Sequence, residues 1–255
     1  MFNAQEKVQE IIKFIRDYCE KAQVKGVVIG ISGGKDSAVV AGLFAKALGA
    51  ANVVGVWLPC HSNNQDKSNA EKLAKHFGFE LKEFDLTELY DDYVKQFKFL
   101  NDTQDNEVID ANINIKPRLR MATLYYYAAY LSKKNKGLYL VPGTSNKCEL
   151  YVGYFTKGGD NVADIQVLAD FTVEEVILLG KAIGVPDDIV NKVPDDGLSG
   201  LSDEDKLGVK YTEIADVIEN NGQNVSEAAK KKIEALHNNN LHKFHIPTFI
   251  QKEQN

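Results

Sequence analysis

The region from residue 24 to residue 84 alternates short apolar runs with segments of helical periodicity, and this alternation constrains the fold more than any other feature. Two apolar runs, 26–31 and 52–58, and the alternating apolar and polar residues of 79–84 are typical of strands. Two segments of helical pattern, at about 36–48 and 66–77, separate them. Continuous apolar runs favour strands that are covered on both faces, as in a parallel sheet. We therefore predict an α/β fold, a doubly wound parallel sheet with flanking helices, whose ligands bind at the carboxyl ends of the strands.

The rest of the chain extends this pattern. The polar stretch 101–114 predicts a long loop, and Pro117 predicts the first turn of a helix that continues to Lys134, since proline is tolerated at that position. The last third is predicted to be helical, with a loop at 195–202 and an extended tail at 242–249. The other predicted elements are, in chain order, an amphipathic helix over 8–18, a helix at about 86–98, a strand over 137–141 and a helix at about 172–183.

Composition and charge restrict the class of protein. The 255 residues carry 30 Lys and Arg against 36 Asp and Glu, a formal net charge of −6. This balance argues against broad, charge-driven binding to nucleic acid, and no apolar run is long enough to span a membrane. Cys19, Cys60 and Cys148 are widely separated and form no CxxC motif, which is typical of a reduced protein without a zinc site. We expect a cytoplasmic protein with no nucleic-acid or membrane partner and one domain over residues 1–255.

Residues 32–37, SGGKDS, join the first predicted strand directly to the next helix. Two glycines allow a tight turn whose N–H groups can face an anion, and the helix N-terminus adds partial positive charge there. Ser32 and Ser37 offer hydroxyl groups, and Asp36 offers a hard oxygen ligand for Mg²⁺. The spacing differs from the Walker A loop and from the GxGxxG fingerprint. The order of strand, glycines, acid and helix favours a phosphate site over a simple capped turn.

The loop resembles the SGGxDS signature of the ATP pyrophosphatases, which split ATP into AMP and pyrophosphate. Further segments narrow this resemblance to the NAD synthetase family, over about residues 24–247. They are NIKPRLRM at 114–121, GTSNKCE at 143–149, GYFTKGGD at 153–160, SDE at 202–204, LG at 207–208 with Tyr211, and HK at 242–243. The resemblance implies an adenine nucleotide alpha hydrolase-like, Rossmann-like fold. It also implies that a homodimer converts deamido-NAD, ATP and ammonia to NAD, AMP and pyrophosphate through an adenylated intermediate.

Position by position, the resemblance also implies residue roles. Asp36 and Glu149 would bind Mg²⁺, which offsets charge on the pyrophosphate leaving group. Asp36 and Lys157 would take part in catalysis. The residues implied to bind ATP are Gly30, Ile31, Ser32, Gly33, Gly34, Lys35, Asp36, Ser37 and Thr144. The residues implied to bind deamido-NAD are Arg118, Lys157, Asp164, His242 and Lys243.

Four positions depart from the commoner family pattern. Lys35 stands where an apolar residue is usual, and Asn161–Val162 replaces a glycine pair. Val173 stands where a lysine often contacts ATP, and Asp195 stands where Ser or Thr is common. We hypothesise that Lys35 offsets the lost positive charge, so that Lys35→Ala raises the requirement for ATP more than for deamido-NAD.

Alternatives remain open at this point. A tRNA-modifying or sulfur-transfer ligase can share SGGKDS, but the acidic charge and lone cysteines disfavour both. A non-catalytic nucleotide-binding module can share the fold, but it has no need of Asp36 together with Glu149. The simpler interpretation of Arg118 and Arg120, in the predicted first turns of a helix, is that their side chains are solvated. The simpler interpretation of the tyrosines at 125–130 is that they belong to the core or to a dimer face. The length leaves no room for an amide-hydrolysing domain, so we expect ammonia rather than glutamine as the nitrogen source.

Overall fold

The computed structural model describes residues 2–97, 106–192, 202–245 and 247. Its strands are β1 (Val24–Gly30), β2 (Val53–Trp57), β3 (Glu80–Glu83), β4 (Leu138–Leu140), β5 (Pro142–Gly143) and β6 (Ile165–Gln166). Its first helices are α1 (Ala4–Lys21), α2 (Lys35–Leu48), α3 (Asn64–Phe77), α4 (Thr87–Lys95) and α5 (Asn106–Lys134). They are followed by α6 (Lys147–Val152), α7 (Val173–Ile183), α8 (Asp187–Val190), α9 (Asp203–Leu207), α10 (Tyr211–Asn220) and α11 (Glu227–Asn240).

A parallel sheet with strand order β3-β2-β1-β4 forms the centre, and β5 pairs with β6 in a small second parallel sheet. The order runs outward from β1 in both directions, so the predicted doubly wound α/β fold is confirmed. Strands β2, β3 and β4 lie within the predicted strands, and β1 begins two residues before its predicted start. The point where the order reverses, between β1 and β4, is where such sheets bind ligands at their carboxyl ends.

Both faces of the sheet are covered. On one face α1, α2 and α7 bury an apolar cluster that includes Ile15, Phe44 and Leu179, none of which is exposed. Each such side chain stabilises the fold by about 1.5–3 kcal/mol. In α1 the apolar spacing correctly predicts the buried face except at Tyr18, which is exposed, while the neighbouring Cys19 is buried. A second cluster packs α5 on the other face, and a third joins α6, α10 and α11.

The structure corrects two sequence predictions around α5. The predicted loop at 101–114 is wrong from Asn106 onward, because those residues form the first turns of a 29-residue helix. Pro117 lies inside this helix rather than in its first turn, and its missing N–H leaves one carbonyl without a helical partner. The pattern misled because burial is inverted here: Ile113 is exposed and Lys116 is buried. Arg118 and Arg120 therefore lie in the middle of a helix.

The C-terminal predictions have mixed outcomes. His242 and Lys243 belong to a 3-10 turn over Leu241–Lys243, so the predicted extended tail is wrong there, and its last residues lie outside the described part of the chain. The predicted loop at 195–202 also lies outside it, except for Ser202. Ser202 caps α9 through a reciprocal pair of hydrogen bonds with Asp205. No helix among the described residues has the length and apolarity needed to cross a bilayer.

Candidate active site

The turn from β1 into α2 carries residues 32–37 at the carboxyl edge of the sheet. Gly33 has a φ of +80°, and a Cβ atom built on it would lie 2.5 Å from the main-chain oxygen of Asp66. The Asn69 side-chain amide donates to the Gly33 oxygen at 3.1 Å. The N-terminal half of α3 therefore holds the turn from behind, and only glycine fits at its tip.

The two serines of the loop bond to the loop itself. Ser37 Oγ accepts from the Ser32 N–H at 3.2 Å and donates to the Gly34 oxygen at 3.1 Å. Ser32 Oγ accepts from the Gly34 N–H at 3.2 Å and lies 3.0 Å from Ser37 Oγ. These bonds fix the turn, and no side chain of the described residues caps α2. The positive end of α2 therefore faces the edge of the sheet, as an anion site requires.

A cavity of about 420 Å³ opens beside this loop. Of the residues predicted to bind ATP, all but Gly33 line this cavity. The predicted residues that line it are Gly30, Ile31, Ser32, Gly34, Lys35, Asp36, Ser37, Thr144 and Glu149. They come from β1, α2, α6 and the segment after β5, which the fold brings to one edge of the sheet.

The two predicted metal ligands meet through Asn146. The Asn146 side chain caps α6, accepting from the Glu149 N–H at 3.1 Å, and Glu149 Oε2 accepts from the Asn146 N–H at 3.1 Å. The Asn146 amide nitrogen also donates to Asp36 Oδ1 at 3.2 Å. Burial, and then the negative charge of Asp36, raise the pKa of Glu149 well above its ordinary value. A cation placed here is therefore favoured, because it compensates two carboxylates at once.

Lys35 supplies positive charge at the same point. Its side chain is 4% exposed, and its Nζ lies 3.2 Å from Asp36 Oδ2. A buried lysine is costly unless it is paired, so the ion pair with Asp36 explains how the protein accommodates it. The predicted ATP contact Lys35 thus holds a carboxylate that is also a predicted metal ligand.

The cavity also contains charged residues to which the sequence analysis assigned no role in binding or catalysis. Lys116 is buried and lies over the ring of Tyr90, and Arg120 Nε donates to the Leu58 oxygen at 3.1 Å. Burial lowers the pKa of Arg120, and solvation, its simpler interpretation, is wrong. The spacing of Lys116 and Arg120, four residues apart on a helix, was the signal that could have found them. Asp160 and Asp203 line the cavity as well.

One ion pair in the cavity lining joins two distant parts of the chain. Lys192 Nζ lies 2.5 Å from Asp66 Oδ1, across 126 residues of sequence, and both residues line the cavity. No local pattern connects them. Asp66 is also the residue whose backbone contacts the tip of the loop at Gly33, so this ion pair supports the loop from the side of α3.

The predicted deamido-NAD residues lie outside the cavity lining. Arg118 Nε and Nη2 each lie 3.2 Å from the Lys157 oxygen, and Lys157 Nζ donates to the His242 oxygen at 2.7 Å. Lys243 Nζ donates to the oxygens of Gly153 and Phe155. We call Arg118, Lys157, His242 and Lys243 the basic cluster. The loop 153–160 separates it from the cavity, since Gly159 lines the cavity and packs on the backbone of Arg118.

Asp164 is apart from the basic cluster. Its Oδ2 accepts from the Val141 N–H at 2.7 Å, and its Oδ1 accepts from the Tyr125 hydroxyl at 3.2 Å.

The structure describes most of the positions that depart from the family pattern. Val173 is buried in the apolar cluster that joins α6, α10 and α11, and Val162 lines the cavity. Asn161 Oδ1 accepts from the Gly158 N–H, and Asp195 lies outside the described residues.

Comparison with known proteins shows the family of this chain. The family model described as NAD synthase matches residues 7–247. The chain is 43% identical to the NH(3)-dependent NAD(+) synthetase of Finegoldia magna over 220 residues, 86% of each protein, and 37% identical to that of Alkaliphilus oremlandii over 252 residues, 96% of each. The solved NMN synthetase of Francisella tularensis has a TM-score of 0.87 and 33% identity, covering 99% of this chain and 100% of that one. This chain belongs to the NAD synthase family.

Proposed function

We propose that this chain is an ammonia-dependent ligase that converts deamido-NAD to NAD while ATP is cleaved to AMP and pyrophosphate. One observation carries the proposal: the SGGKDS loop, Asp36 and Glu149 meet at one cavity. Membership of the NAD synthase family supports the choice of acceptor. The family does not favour the tRNA-modifying, sulfur-transfer and non-catalytic alternatives.

The chemistry has two balanced steps. First, the nicotinate carboxylate attacks the α-phosphorus of ATP, and pyrophosphate leaves. Next, ammonia forms a bond to the carbonyl carbon, the bond from that carbon to the AMP oxygen breaks, and a proton leaves the nitrogen. The loop and the positive end of α2 would hold the phosphates. Lys35, Lys116 and Arg120 would balance the negative charge of the two substrates in the cavity.

Asp36 and Glu149 fit a Mg²⁺ ion. Both are hard carboxylate donors, joined through Asn146, and the described residues contain no group of three His, Cys, Asp or Glu side chains placed to hold a metal. Mg²⁺ is usually bound by one or two carboxylates, with substrate phosphates and water as its other ligands, so two are sufficient. When bound, the ion offsets charge on the leaving pyrophosphate.

We further propose a homodimer that works in the cytoplasm as a single domain. Exposed apolar side chains on α4 and α5 support a dimer face: Leu89, Tyr93, Tyr126 and Tyr130. The three cysteines are free and buried, as expected in a reducing compartment. The basic cluster would bind the part of deamido-NAD that extends beyond the cavity, with Lys157 and Asp164 in the roles that the family pattern implies.

A second acceptor is favoured by a specific observation. The Francisella tularensis structure that this chain resembles over its full length is named an NMN synthetase. NMN is the amide of nicotinate mononucleotide, which carries the same carboxylate as deamido-NAD and lacks its adenylate half. The same residues would perform the same chemistry on it.

The test incubates the protein with ATP, Mg²⁺ and ammonium and supplies deamido-NAD or nicotinate mononucleotide in turn. We expect AMP and NAD with deamido-NAD, no turnover when glutamine replaces ammonium, and no AMP from Asp36→Asn. Asp17→Asn, on the exposed face of α1, is the matched control. A higher kcat/KM for the mononucleotide would establish the second acceptor. If neither acceptor leads to release of pyrophosphate, both proposed acceptors are refuted. Full activity of Asp36→Asn would refute the role proposed for Asp36.

A further inference from the structure

Side chains from the last turn of α11 hold the C-terminal end of α6. His237 Nδ1 donates to the Tyr151 oxygen at 2.7 Å, and its ring stacks on the Tyr151 ring with centroids 4.3 Å apart. Asn240 Nδ2 donates to the Val152 oxygen at 3.0 Å and to the Leu236 oxygen at 2.8 Å. The bond to Val152 joins the last residue of α11 to the last residue of α6. The end of α11 therefore supplies donors to carbonyl groups that a helix end leaves without helical partners.

The two helix ends are in close contact. Gly153, the residue after α6, has a φ of +68°, and a Cβ atom built on it would lie 2.3 Å from Asn240 Cβ. Lys243 Nζ donates to the Gly153 oxygen at 2.6 Å and to the Phe155 oxygen at 2.9 Å. Three side chains thus bond to four main-chain oxygens between residues 151 and 155. We call these side chains, His237, Asn240 and Lys243, the α6 clamp.

The other end of α6 belongs to the proposed metal site. Glu149 lies in its first turn, and Asn146, which caps that turn, also donates to Asp36 Oδ1 at 3.2 Å. The Glu149 main-chain oxygen accepts from the Tyr154 N–H at 2.9 Å, so the residue is bonded directly to the segment that the clamp holds. With six residues, α6 is only about 9 Å long. Helices shorter than about 12 residues are marginal in water, so α6 depends on the contacts at its two ends.

We propose that Asn240 is a positioning residue for the metal site, which keeps α6 formed so that the Glu149 carboxylate reaches the ion bound by Asp36. The inference rests on the metal role that the proposed function gives to Glu149. Without the Asn240 amide, the Val152 oxygen loses its donor from α11, and α6 is formed in only a fraction of the molecules. The apparent dissociation constant for Mg²⁺ then rises by the reciprocal of that fraction.

Asn240→Asp tests the proposal, because it keeps the shape of the side chain and replaces the donating amide with a carboxylate. Asn239→Asp makes the same change at the neighbouring, exposed position of α11 and is the control. Tm is measured without nucleotide, in EDTA and in rising Mg²⁺. We expect Asn240→Asp to raise the Mg²⁺ concentration that gives half of the Tm gain about tenfold, the value of one lost hydrogen bond, while Asn239→Asp leaves it unchanged. An added negative charge by itself attracts Mg²⁺, so a purely electrostatic effect would have the opposite sign.

Hydrogen exchange followed by mass spectrometry gives a second measurement without turnover. Linkage is reciprocal, so an ion bound at Glu149 must stabilise the clamp as much as the clamp stabilises the ion. Mg²⁺ should therefore slow exchange in wild-type peptides that cover residues 236–243 as well as in those that cover 147–153. In Asn240→Asp, Mg²⁺ should no longer slow exchange at 236–243.

Each contrary result has a definite meaning. A lower Tm for Asn240→Asp with the wild-type dependence on Mg²⁺ would overturn the proposal and leave Asn240 as a structural cap. An equal change in Asn239→Asp would also overturn it. A wild-type protein that forms NAD but whose Tm does not respond to Mg²⁺ would overturn this proposal and leave the proposed function intact. The expected effects of Asn240→Asp in a protein that forms neither AMP nor NAD would support this proposal and refute the proposed function.

Discussion

Lys35→Met tests whether Lys35 is a built-in counter-ion for the two carboxylates of the site. In the wild-type protein the Lys35 ammonium lies 3.2 Å from Asp36 Oδ2 and is 4% exposed. Burial raises the pKa of Glu149, and the positive charge of Lys35 opposes this rise. The Lys35 ammonium therefore also acts on that carboxylate. Methionine keeps most of the side-chain length and removes the charge, so Asp36 and Glu149 lose the cation that compensates them.

The magnitude follows from the distance and the burial. Two unit charges 3.2 Å apart attract by about 5 kcal/mol at an effective dielectric constant of about 20. Removal of one partner from a buried pair destabilises proteins by about 3–5 kcal/mol, a large part of a total stability of about 5–15 kcal/mol. For a chain of this size each kcal/mol lowers Tm by roughly 2–4 °C, so we expect a loss on the order of 10 °C. Mg²⁺ brings charge back to the same carboxylates, so the variant should gain more Tm from Mg²⁺ than the wild type does.

The assay is thermal unfolding in EDTA and in rising Mg²⁺, without nucleotide. Lys46→Met, at the exposed C-terminal turn of the same helix, is the control and should change Tm by only about 1–4 °C, from a helix-end effect of about 0.3–1 kcal/mol. An unchanged Tm for Lys35→Met, or an equal response to Mg²⁺ in both proteins, would refute the counter-ion role. The same variant should raise the requirement for ATP more than that for deamido-NAD, because Lys35 belongs to the SGGKDS loop and pairs with Asp36.

Three other predictions concern the loop, a buried thiol and the dimer. Gly33→Ala should abolish ATP binding in an isothermal titration, because its Cβ would meet backbone at 2.5 Å, whereas Gly49→Ala, with φ of +85° and open space, should bind ATP normally. Burial raises the pKa of Cys148 from 9.0 to about 11, so the thiol stabilises the fold below about pH 9, and this contribution is lost between pH 9 and 11. Urea unfolding at several pH values should show that Cys148→Ala flattens this fall, and an identical slope would contradict it. If the proposed dimer forms through α4 and α5, Tyr126→Glu should give a monomer in light scattering, while Tyr18→Glu, a change at an exposed aromatic on α1, should not.

The sheet could be predicted because β1, β2 and β4 lie in continuous apolar runs, β3 lies in an alternating apolar and polar segment, and local turns separate them. Gly78 ends α3 in the left-handed conformation at the predicted place, and Thr172, the predicted start of α7, is its N-cap. The first part of α5 failed for a physical reason. Its inward side lines a polar cavity, where Lys116 is buried and Ile113 is exposed, so a search for apolar periodicity finds no helix there.

Some residues of the site could likewise be predicted from the sequence, and others could not. Residues 32–37 are contiguous, so sequence order alone placed the loop at a strand end. Glu149 came from a motif, and its contact with Asp36 through Asn146 depends on the sheet bringing two strand ends together. The pair of Lys192 and Asp66 had no signal, because 126 residues separate the two and only the fold joins them.

The position of the basic cluster connects the size of the cavity to the choice of acceptor. Ligand cavities have volumes of about 300–1,000 Å³, so the 420 Å³ here suits ATP with the nicotinate end of the acceptor rather than ATP together with a whole dinucleotide. The nicotinate carboxylate must reach the α-phosphate inside, which leaves the adenylate half of deamido-NAD outside, on the side of loop 153–160. Arg118 and Lys157 lie there and offer the cations that a phosphate needs. We therefore propose that contacts in the cavity are common to the mononucleotide and the dinucleotide, and that the basic cluster discriminates between them.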